Sequence, residues 1–199
     1  STVTALSMAE TNENISPAAV LKLAKELRKL STEPLEGIKV LLNEDDVTDV
    51  TAELTGPEAT PFQGGSFKVK LVLPSDFPNA PPKGYFLTKI FHPNVSKTGE
   101  ICVNTLKKDW SSSLGIGHVL QVVRCLLINP FPESALNEEA GKLFMEDYEA
   151  YCKKARMLAE VHAAAADSKL GPSEKRLKAA DSQAAEKRRL DKKKSLKRL

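Results

Sequence analysis

Phe67-Lys68-Val69-Lys70-Leu71-Val72-Leu73 is the stretch that decides the fold of this chain. Apolar and basic side chains alternate through its first five positions, which is typical of a strand with one buried face. Gly64-Gly65 precedes the run and Pro74-Ser75-Asp76 follows it, so turn residues bound it on both sides. The pattern therefore predicts a short strand in a sheet that is covered on one face.

Three further runs of alternating or β-branched residues flank this strand, at residues 38–42, 50–54 and 84–87. Gly56-Pro57 and Pro81-Pro82 interrupt the segments between the runs. Because the connections are short, we expect successive strands to pair antiparallel in a four-stranded meander.

Helical patterns stand on both sides of the strands. Ser16-Pro17 supplies an N-cap and a first-turn proline, and an apolar stripe follows at Val20, Leu23, Leu27 and Leu30. Residues 88–110 are expected to form a long ordered loop, a length that usually marks function. Helical periodicity returns at residues 114–127. A further helix is expected to start near residue 134 or 137 and to continue through Tyr148 and Tyr151, and residues 150–165 can form a last helix. This order predicts an α+β fold.

The charge of the chain is unevenly distributed. Its 199 residues carry a net charge of +3, yet residues 167–199 contain twelve Lys/Arg and five Asp/Glu, which leaves the remainder acidic. One compact domain of about 150 residues with an appendage fits this length. We therefore predict a flexible N-terminus at 1–15, a domain at 16–165 and a flexible basic tail at 166–199.

The few cysteines and histidines argue against disulfide-rich and metal-binding classes of protein. Three cysteines without a CxxC pair and three histidines without ligand spacing predict neither a disulfide framework nor a metal site. No apolar run approaches the roughly 20 residues that span a bilayer, and no secretory signal is recognisable. We expect no membrane association and a reducing compartment, the cytoplasm and nucleus.

Cys102 is the candidate nucleophile. It follows His92-Pro93-Asn94 in a polar loop that contains Gly99, and Trp110 lies eight positions further on. A thiolate is both a strong nucleophile and a good acyl leaving group. Burial as a small apolar residue between Ile101 and Val103 is the alternative.

The surrounding motifs resemble those of the ubiquitin-conjugating enzymes over about residues 16–165. These motifs are Gly56-Pro57, residues 61–67, residues 77–83, residues 90–95, residues 99–102 and Trp110. The resemblance implies the ubiquitin-conjugating (UBC) fold. It also implies that Cys102 accepts ubiquitin as a thioester from an activating enzyme and passes it to a lysine amine. Asn94 would stabilise the oxyanion of that transfer or order the loop that does so, with turn capping as the alternative. His92 is expected to be a packing and hydrogen-bonding residue.

This chain departs from the common family pattern at several positions. Ser134 stands where many members have an aspartate at the gate of the active site, and Glu138 follows. Glu138 could position or deprotonate the acceptor lysine, or it could only stabilise a helix N-terminus. Asn79 and residues 111–113 replace the residues with which many members bind RING domains, which argues against ordinary RING docking.

These departures resemble the S-type branch of the family, which is similar across animals and plants. The resemblance implies elongation of ubiquitin chains with the anaphase-promoting complex, a cullin–RING ligase. It also places Cys125 on the surface that packs the donor ubiquitin; a core thiol is the alternative.

The basic tail has three interpretations: a solubilising appendage, a nucleic-acid arm or a ligase-docking peptide. Residues 167–199 contain no aromatic residue for base stacking, which disfavours nucleic acid. Leu196 and Leu199 flank Lys197-Arg198 in a compact amphipathic end suited to a protein groove, and the resemblance supports docking to a cullin–RING ligase.

Rival functions are conjugation of another ubiquitin-like modifier, an inactive ubiquitin-binding scaffold and a papain-like hydrolase. The scaffold variants of this fold lack the cysteine, and no histidine partner has the motif context of a hydrolase. No P-loop is present, so no cofactor is expected, and ATP would be used by the upstream activating enzyme.

Overall fold

The computed structural model describes residues 15–107 and 110–163. The domain boundaries after residues 15 and 165 stay predictions, because residues 1–14 and 164–199 lie outside the described part. Helix α1 is Pro17–Thr32. Four strands follow it: β1 (Ile38–Leu41), β2 (Val50–Thr55), β3 (Ser66–Val72) and β4 (Lys83–Phe86).

The strands form one antiparallel meander in the order β1-β2-β3-β4, as predicted. In β3 the buried residues are Phe67, Val69 and Leu71, so the alternation in the sequence identifies the face that is covered. Removing such side chains from water contributes roughly 1.5–3 kcal/mol each.

Helix α1 packs on β1 and on α3. Ser16 caps it, since its hydroxyl accepts a hydrogen bond from the Ala19 amide at 3.3 Å. Of the predicted stripe, Leu23 and Leu27 are buried and Val20 and Leu30 are partly buried, and Ala19 is buried beside them. The predicted cap and the predicted face are both confirmed.

The described residues after β4 contain four helices and a 3₁₀ turn at Pro132–Ser134. The helices are α2 (Val103–Lys107), α3 (Ile116–Leu126), α4 (Glu138–Glu146) and α5 (Tyr148–His162). Helix α3 lies against α1 and α2, and the partly buried Glu26 of α1 accepts a hydrogen bond from the Gly117 amide at its N-terminus. This bond satisfies one of the amides that a helix start leaves unpaired.

Two sequence-based expectations need correction. The segment 88–110 is not loop throughout, because α2 begins directly after Cys102. The helix expected to run on from α4 through Tyr148 is broken at Asp147. Its non-helical backbone (φ −147°, ψ 80°) ends α4, while its carboxylate caps α5 at the Ala150 amide. A capping carboxylate competes with helix continuation, and this local preference overrides the apolar periodicity.

Candidate active site

Backbone hydrogen bonds on both sides hold Cys102 in place. The Cys102 amide donates to the carbonyl of Asn94 at 3.0 Å, and the Ile101 amide donates to the carbonyl of Gly84 at 2.9 Å. Cys102 is 6% exposed. It lies between the isolated β-bridge that Ile101 forms with Val95 and the start of α2. Only a small part of the thiol therefore meets solvent, which suits a group that holds an acyl chain away from water.

A tight turn at residues 96–99 brings the Cys102 segment back beside the segment that contains Asn94. The Ser96 amide donates to Glu100, and the Gly99 amide donates to Ser96, both at 2.9 Å. Gly99 has φ +93°, and a Cβ atom there would lie 2.2 Å from the carbonyl oxygen of Phe86. Only glycine fits this turn, which determines the spacing between Asn94 and Cys102.

His92 is a buried, neutral packing residue. Its Nε2 donates to the carbonyl of Leu126 at 2.8 Å, and its Nδ1 accepts from the Asn94 amide at 3.0 Å, which assigns the tautomer. Burial lowers the pKa of His92 from 6.5 to about 4, against the opposing effect of the hydrogen bond to Leu126. Both nitrogens are occupied, so His92 is not a general base for Cys102. The predicted packing role is confirmed.

The side chain of Asn94 is fully buried and joins the active-site segment to the 3₁₀ turn. Its Nδ2 donates to the carbonyl oxygens of Phe131 at 2.7 Å and Ser134 at 3.2 Å. Its Oδ1 accepts from the Phe131 amide at 2.8 Å. Both amide protons are in use, so this geometry displays the ordering role. To donate to an oxyanion, the Asn94 amide would have to give up one of these two hydrogen bonds. The bond to Ser134 is the longer of the two.

A second connection runs through Pro93, whose carbonyl accepts from the Leu136 amide at 2.8 Å and the Asn137 amide at 3.0 Å. Asn137 in turn caps α4, with its Oδ1 accepting from the Ala140 amide at 3.1 Å. The start of α4 is thereby fixed relative to Asn94 and Cys102.

Ser134 and Glu138 lie on either side of this connection. Ser134 is half-buried at the end of the 3₁₀ turn, and its carbonyl is the one that binds Asn94. Glu138 is the exposed first residue of α4. Its position is compatible both with contact to an acceptor lysine and with stabilisation of the helix N-terminus.

A cleft of about 690 Å³ extends from Ser134 along α3. We call it the α3 cleft; its lining includes Asn104, His118, Cys125, Phe131 and Ser134. Cys125 is exposed, so the core-thiol alternative is wrong, and its place in this cleft agrees with a surface position. Helical periodicity could not separate the two interpretations because Val123 and Leu126, both buried, are its neighbours on α3.

Sequence reasoning missed three residues beside the predicted set: Asn104, Phe131 and Glu133. Asn104 follows Cys102 by two positions on α2, so its sequence proximity was a usable signal. Phe131 is 40% exposed although it is aromatic, and its contact with Asn94 spans 37 positions. No local pattern could have indicated that contact.

The segment that contains Asn79 and the segment at residues 111–113 lie close together, because their neighbours Pro78 and Trp110 are in contact. The Trp110 indole donates to the carbonyl of Pro78 at 3.1 Å, and its ring lies 6.1 Å from that of Phe77. The exposed Asn79 and the exposed residues 111–113 follow directly. This exposed face therefore carries polar residues.

The remaining predictions concern metal, membrane and tail. Among residues 15–107 and 110–163 no group of His, Cys, Asp and Glu could hold a metal ion. Within the same residues, no helix is long and apolar enough to cross a membrane. The predicted docking residues Leu196, Lys197, Arg198 and Leu199 lie outside the described residues.

Known proteins are similar to this chain in sequence and in fold. The pattern of the family described as "Ubiquitin-conjugating enzyme" matches residues 22–159. A "Ubiquitin-conjugating enzyme E2 S" of Nematostella vectensis is 54% identical over 197 residues, covering 94% of this chain and 96% of the relative. A protein of the same name from Branchiostoma floridae is 60% identical over 151 residues, covering 76% of this chain and 71% of the relative.

The similarity extends to plants and to solved structures. "Ubiquitin-conjugating enzyme E2 22" of Arabidopsis thaliana is 58% identical over 152 residues, covering 76% of this chain and 61% of the relative. A crystal structure from Plasmodium yoelii, assigned as a ubiquitin-conjugating enzyme, has a TM-score of 0.70 and 33% identity; the match covers 75% of this chain and 98% of that one. With Cys102, Asn94 and the four-stranded meander in place, this chain belongs to the ubiquitin-conjugating enzyme family.

Proposed function

We propose that this enzyme elongates ubiquitin chains together with a cullin–RING ligase of the anaphase-promoting-complex type. The observation that carries the proposal is the similarity to the E2 S protein of Nematostella vectensis, which covers 94% of this chain and therefore includes residues beyond 163. The departures at Ser134, Glu138 and Asn79 resemble the same branch of the family.

The transfer chemistry is that of the family. The Cys102 thiolate attacks the thioester that joins the C-terminus of ubiquitin to the activating enzyme, and it becomes the new acyl carrier. An acceptor lysine amine then attacks the carbonyl carbon of the Cys102 thioester. The tetrahedral oxyanion collapses, the carbon–sulfur bond breaks, Cys102 leaves as thiolate and the amine nitrogen loses a proton. The upstream activating enzyme uses the ATP, and no step at Cys102 requires a cofactor.

In the proposal Glu138 positions the acceptor lysine and helps to remove its proton. A lysine starts from a pKa of about 10.4, so the attacking amine needs a nearby carboxylate or desolvation. Two features support this role: Glu138 is exposed, and the hydrogen bonds of Pro93 and Asn137 hold its helix start beside the active-site segment. Ser134, half-buried at the gate, leaves more room there than the longer aspartate of many members.

The donor ubiquitin is proposed to pack in the α3 cleft. Cys125 contributes an exposed, uncharged contact on α3, and the cleft extends from there to Ser134. A ubiquitin held against α3 would have its C-terminal residues directed toward Cys102. Orientation of this kind can lower the barrier of an intramolecular-like transfer.

The tail completes the proposal. Leu196, Lys197, Arg198 and Leu199 are proposed to dock in a groove of the ligase, because the polar Asn79 face is unsuited to ordinary RING docking. Two leucines would be the anchors, and two cations would set the orientation. Action in the cytoplasm and nucleus is part of the same proposal, consistent with three cysteines that form no disulfide in the described residues.

A reconstituted elongation assay tests the proposal. Its components are the activating enzyme, ATP, ubiquitin, the anaphase-promoting complex and a substrate that already carries one ubiquitin. We expect removal of residues 196–199 to leave the Cys102 thioester and ligase-free chain synthesis intact while abolishing ligase-dependent elongation. Elongation at the full rate without these residues would eliminate tail docking.

Glu138→Ala is the second variant in that assay, with Glu139→Ala as the matched control in the same helix turn. We expect Glu138→Ala to form the thioester normally and to slow chain synthesis about 10²-fold, the scale of acid–base assistance. Mass spectrometry of the chains would report linkage. An unchanged rate and linkage would leave Glu138 with only its helix-stabilising role.

A further inference from the structure

A second cleft, of about 350 Å³, lies between β4, the turn before Cys102 and helices α4 and α5. We call it the lysine cleft. Its walls are the end of β4 and the segment after it, the turn at residues 96–99, the start of α4 and two side chains of α5. The lining residues are Phe86, Leu87, Lys89, Ile90, Phe91, Ser96, Lys97, Thr98, Gly99, Asn137, Glu139, Lys154 and Leu158. The two clefts have no lining residue in common, so an occupant of one leaves the other free.

The floor of the lysine cleft is apolar. Phe86 and Phe91 are buried there, Ile90 and Leu158 are partly buried, and Leu87 is 48% exposed. An exposed leucine beside buried aromatic rings offers an anchoring point for an aliphatic side chain. About 25 cal/mol is gained for each Å² of apolar surface that such an anchor removes from water.

The rim of the cleft is positively charged. Lys89 and Lys97 are exposed, and Lys154 forms an ion pair with Glu139 while its Nζ lies 4.6 Å from the centroid of the Phe91 ring. The hydrogen bond from Lys154 lowers the pKa of Glu139, and the charge of Lys97 lowers that pKa further. The lining thus carries three lysines and one carboxylate, and the carboxylate is already engaged by Lys154. Lys89 and Lys97 therefore supply its excess charge.

We propose that the lysine cleft docks a short acidic segment of a partner protein, in which one aliphatic side chain is flanked by carboxylates. The aliphatic side chain would lie against Leu87 and Ile90, and the carboxylates would pair with Lys89 and Lys97. The tail of this chain is a poor occupant, because residues 167–199 carry twelve basic and five acidic side chains. Nucleic acid is disfavoured, because the two aromatic rings of the cleft are buried and cannot stack on bases.

The lysine cleft lies next to the active-site segment but does not include its reactive residues. Asn137, which lines the lysine cleft, donates its amide to the carbonyl of Pro93 beside Asn94. A partner in the cleft would rest on the outer side of the segment that orders the active site. Cys102, Cys125 and Ser134 are absent from its lining, so ubiquitin transfer and docking are compatible.

The test is a titration of the ¹⁵N-labelled full chain with a blocked pentapeptide that has one leucine between two pairs of acidic residues. We expect amide shifts at Leu87, Lys89, Lys97 and Thr98 that saturate at millimolar peptide and weaken with added salt. The double variant Lys89→Glu, Lys97→Glu should bind about tenfold more weakly, on the scale of two exposed ion pairs, and should still form the ubiquitin thioester.

Matched controls make each outcome decisive. Lys39→Glu, an exposed charge reversal on β1, should bind the peptide like the wild type. The peptide with serine in place of leucine should bind several-fold more weakly. Equal binding of that serine peptide, equal binding of oligothymidylate at the same residues, or no shift in the cleft at millimolar peptide would each overturn the proposal. None of these results depends on the ligase proposed above.

Discussion

Replacing Asn94 with alanine tests whether this residue orders the active site. The substitution removes three hydrogen bonds from a fully buried side chain: two to Phe131 and one to Ser134. At about 0.5–1.5 kcal/mol for each of the three bonds, we expect a loss of about 1.5–4.5 kcal/mol in the free energy of unfolding. The 3₁₀ turn should loosen, because the Phe131 amide loses its acceptor on Asn94.

Three measurements on the full chain follow this change. Urea unfolding gives the free energy, and amide hydrogen exchange at Phe131 reports the order of the turn. Single-turnover discharge of a preformed Cys102–ubiquitin thioester to free lysine gives the rate of transfer. We expect faster exchange at Phe131 and discharge slowed by at least about tenfold, measured at a temperature where the variant stays folded.

Asn79→Ala is the matched control, since Asn79 is an exposed asparagine. It should change the free energy of unfolding by less than about 0.5 kcal/mol and leave discharge unaltered. Unchanged stability and unchanged exchange at Phe131 in Asn94→Ala, with discharge slowed about 10²–10³-fold, would refute the ordering role. That pattern is the signature of a lost oxyanion donor.

Three further predictions follow from the same geometry. The pKa of His92 is about 4 in the folded chain against an ordinary value of 6.5, so between these pH values only the unfolded chain binds the proton. As the pH falls from 6.5 to 4, urea unfolding should show that the free energy of unfolding of the wild type drops by about 3 kcal/mol relative to His92→Gln. A pH-independent difference would contradict the buried neutral state. Cys125→Glu should slow thioester discharge about tenfold while leaving thermal stability and thioester formation intact, because the side chain is exposed in the α3 cleft; unaltered discharge would remove Cys125 from the donor surface. Gly99→Ala should lower the unfolding free energy by about 2 kcal/mol or more, since its φ of +93° and the nearby carbonyl of Phe86 exclude a Cβ; a neutral result would contradict the turn geometry.

The fold was largely predictable from local patterns. Alternation in β3, the Ser16 cap and the apolar stripe of α1 each depend on neighbouring residues, and the structure confirms all three. The errors lie where one residue changes the local preference. Asp147 ends one helix and caps the next, and α2 starts just after Cys102 in a segment expected to be loop.

The candidate site divides in the same way. Cys102 stood out as a candidate from its residue type and its polar loop, and Asn94 from the family resemblance, because both lie within one short motif-bearing segment. The partners of Asn94 were not identifiable, since Phe131 and Ser134 lie 37 and 40 positions away. The exposure of Cys125 was equally hidden, because helical periodicity leaves a position between two buried neighbours ambiguous.

The sequence by itself determined the meander and the family motifs and indicated Cys102 as the candidate nucleophile, because these depend on side-chain chemistry and on contacts between near neighbours. Only the tertiary structure decided that His92 is neutral, that both amide protons of Asn94 bind the 3₁₀ turn and that two separate clefts flank the active-site segment. The physical reason is that burial and long-range hydrogen bonds arise from the packing of distant segments. That packing determines the pKa of His92 and the bonds available to Asn94.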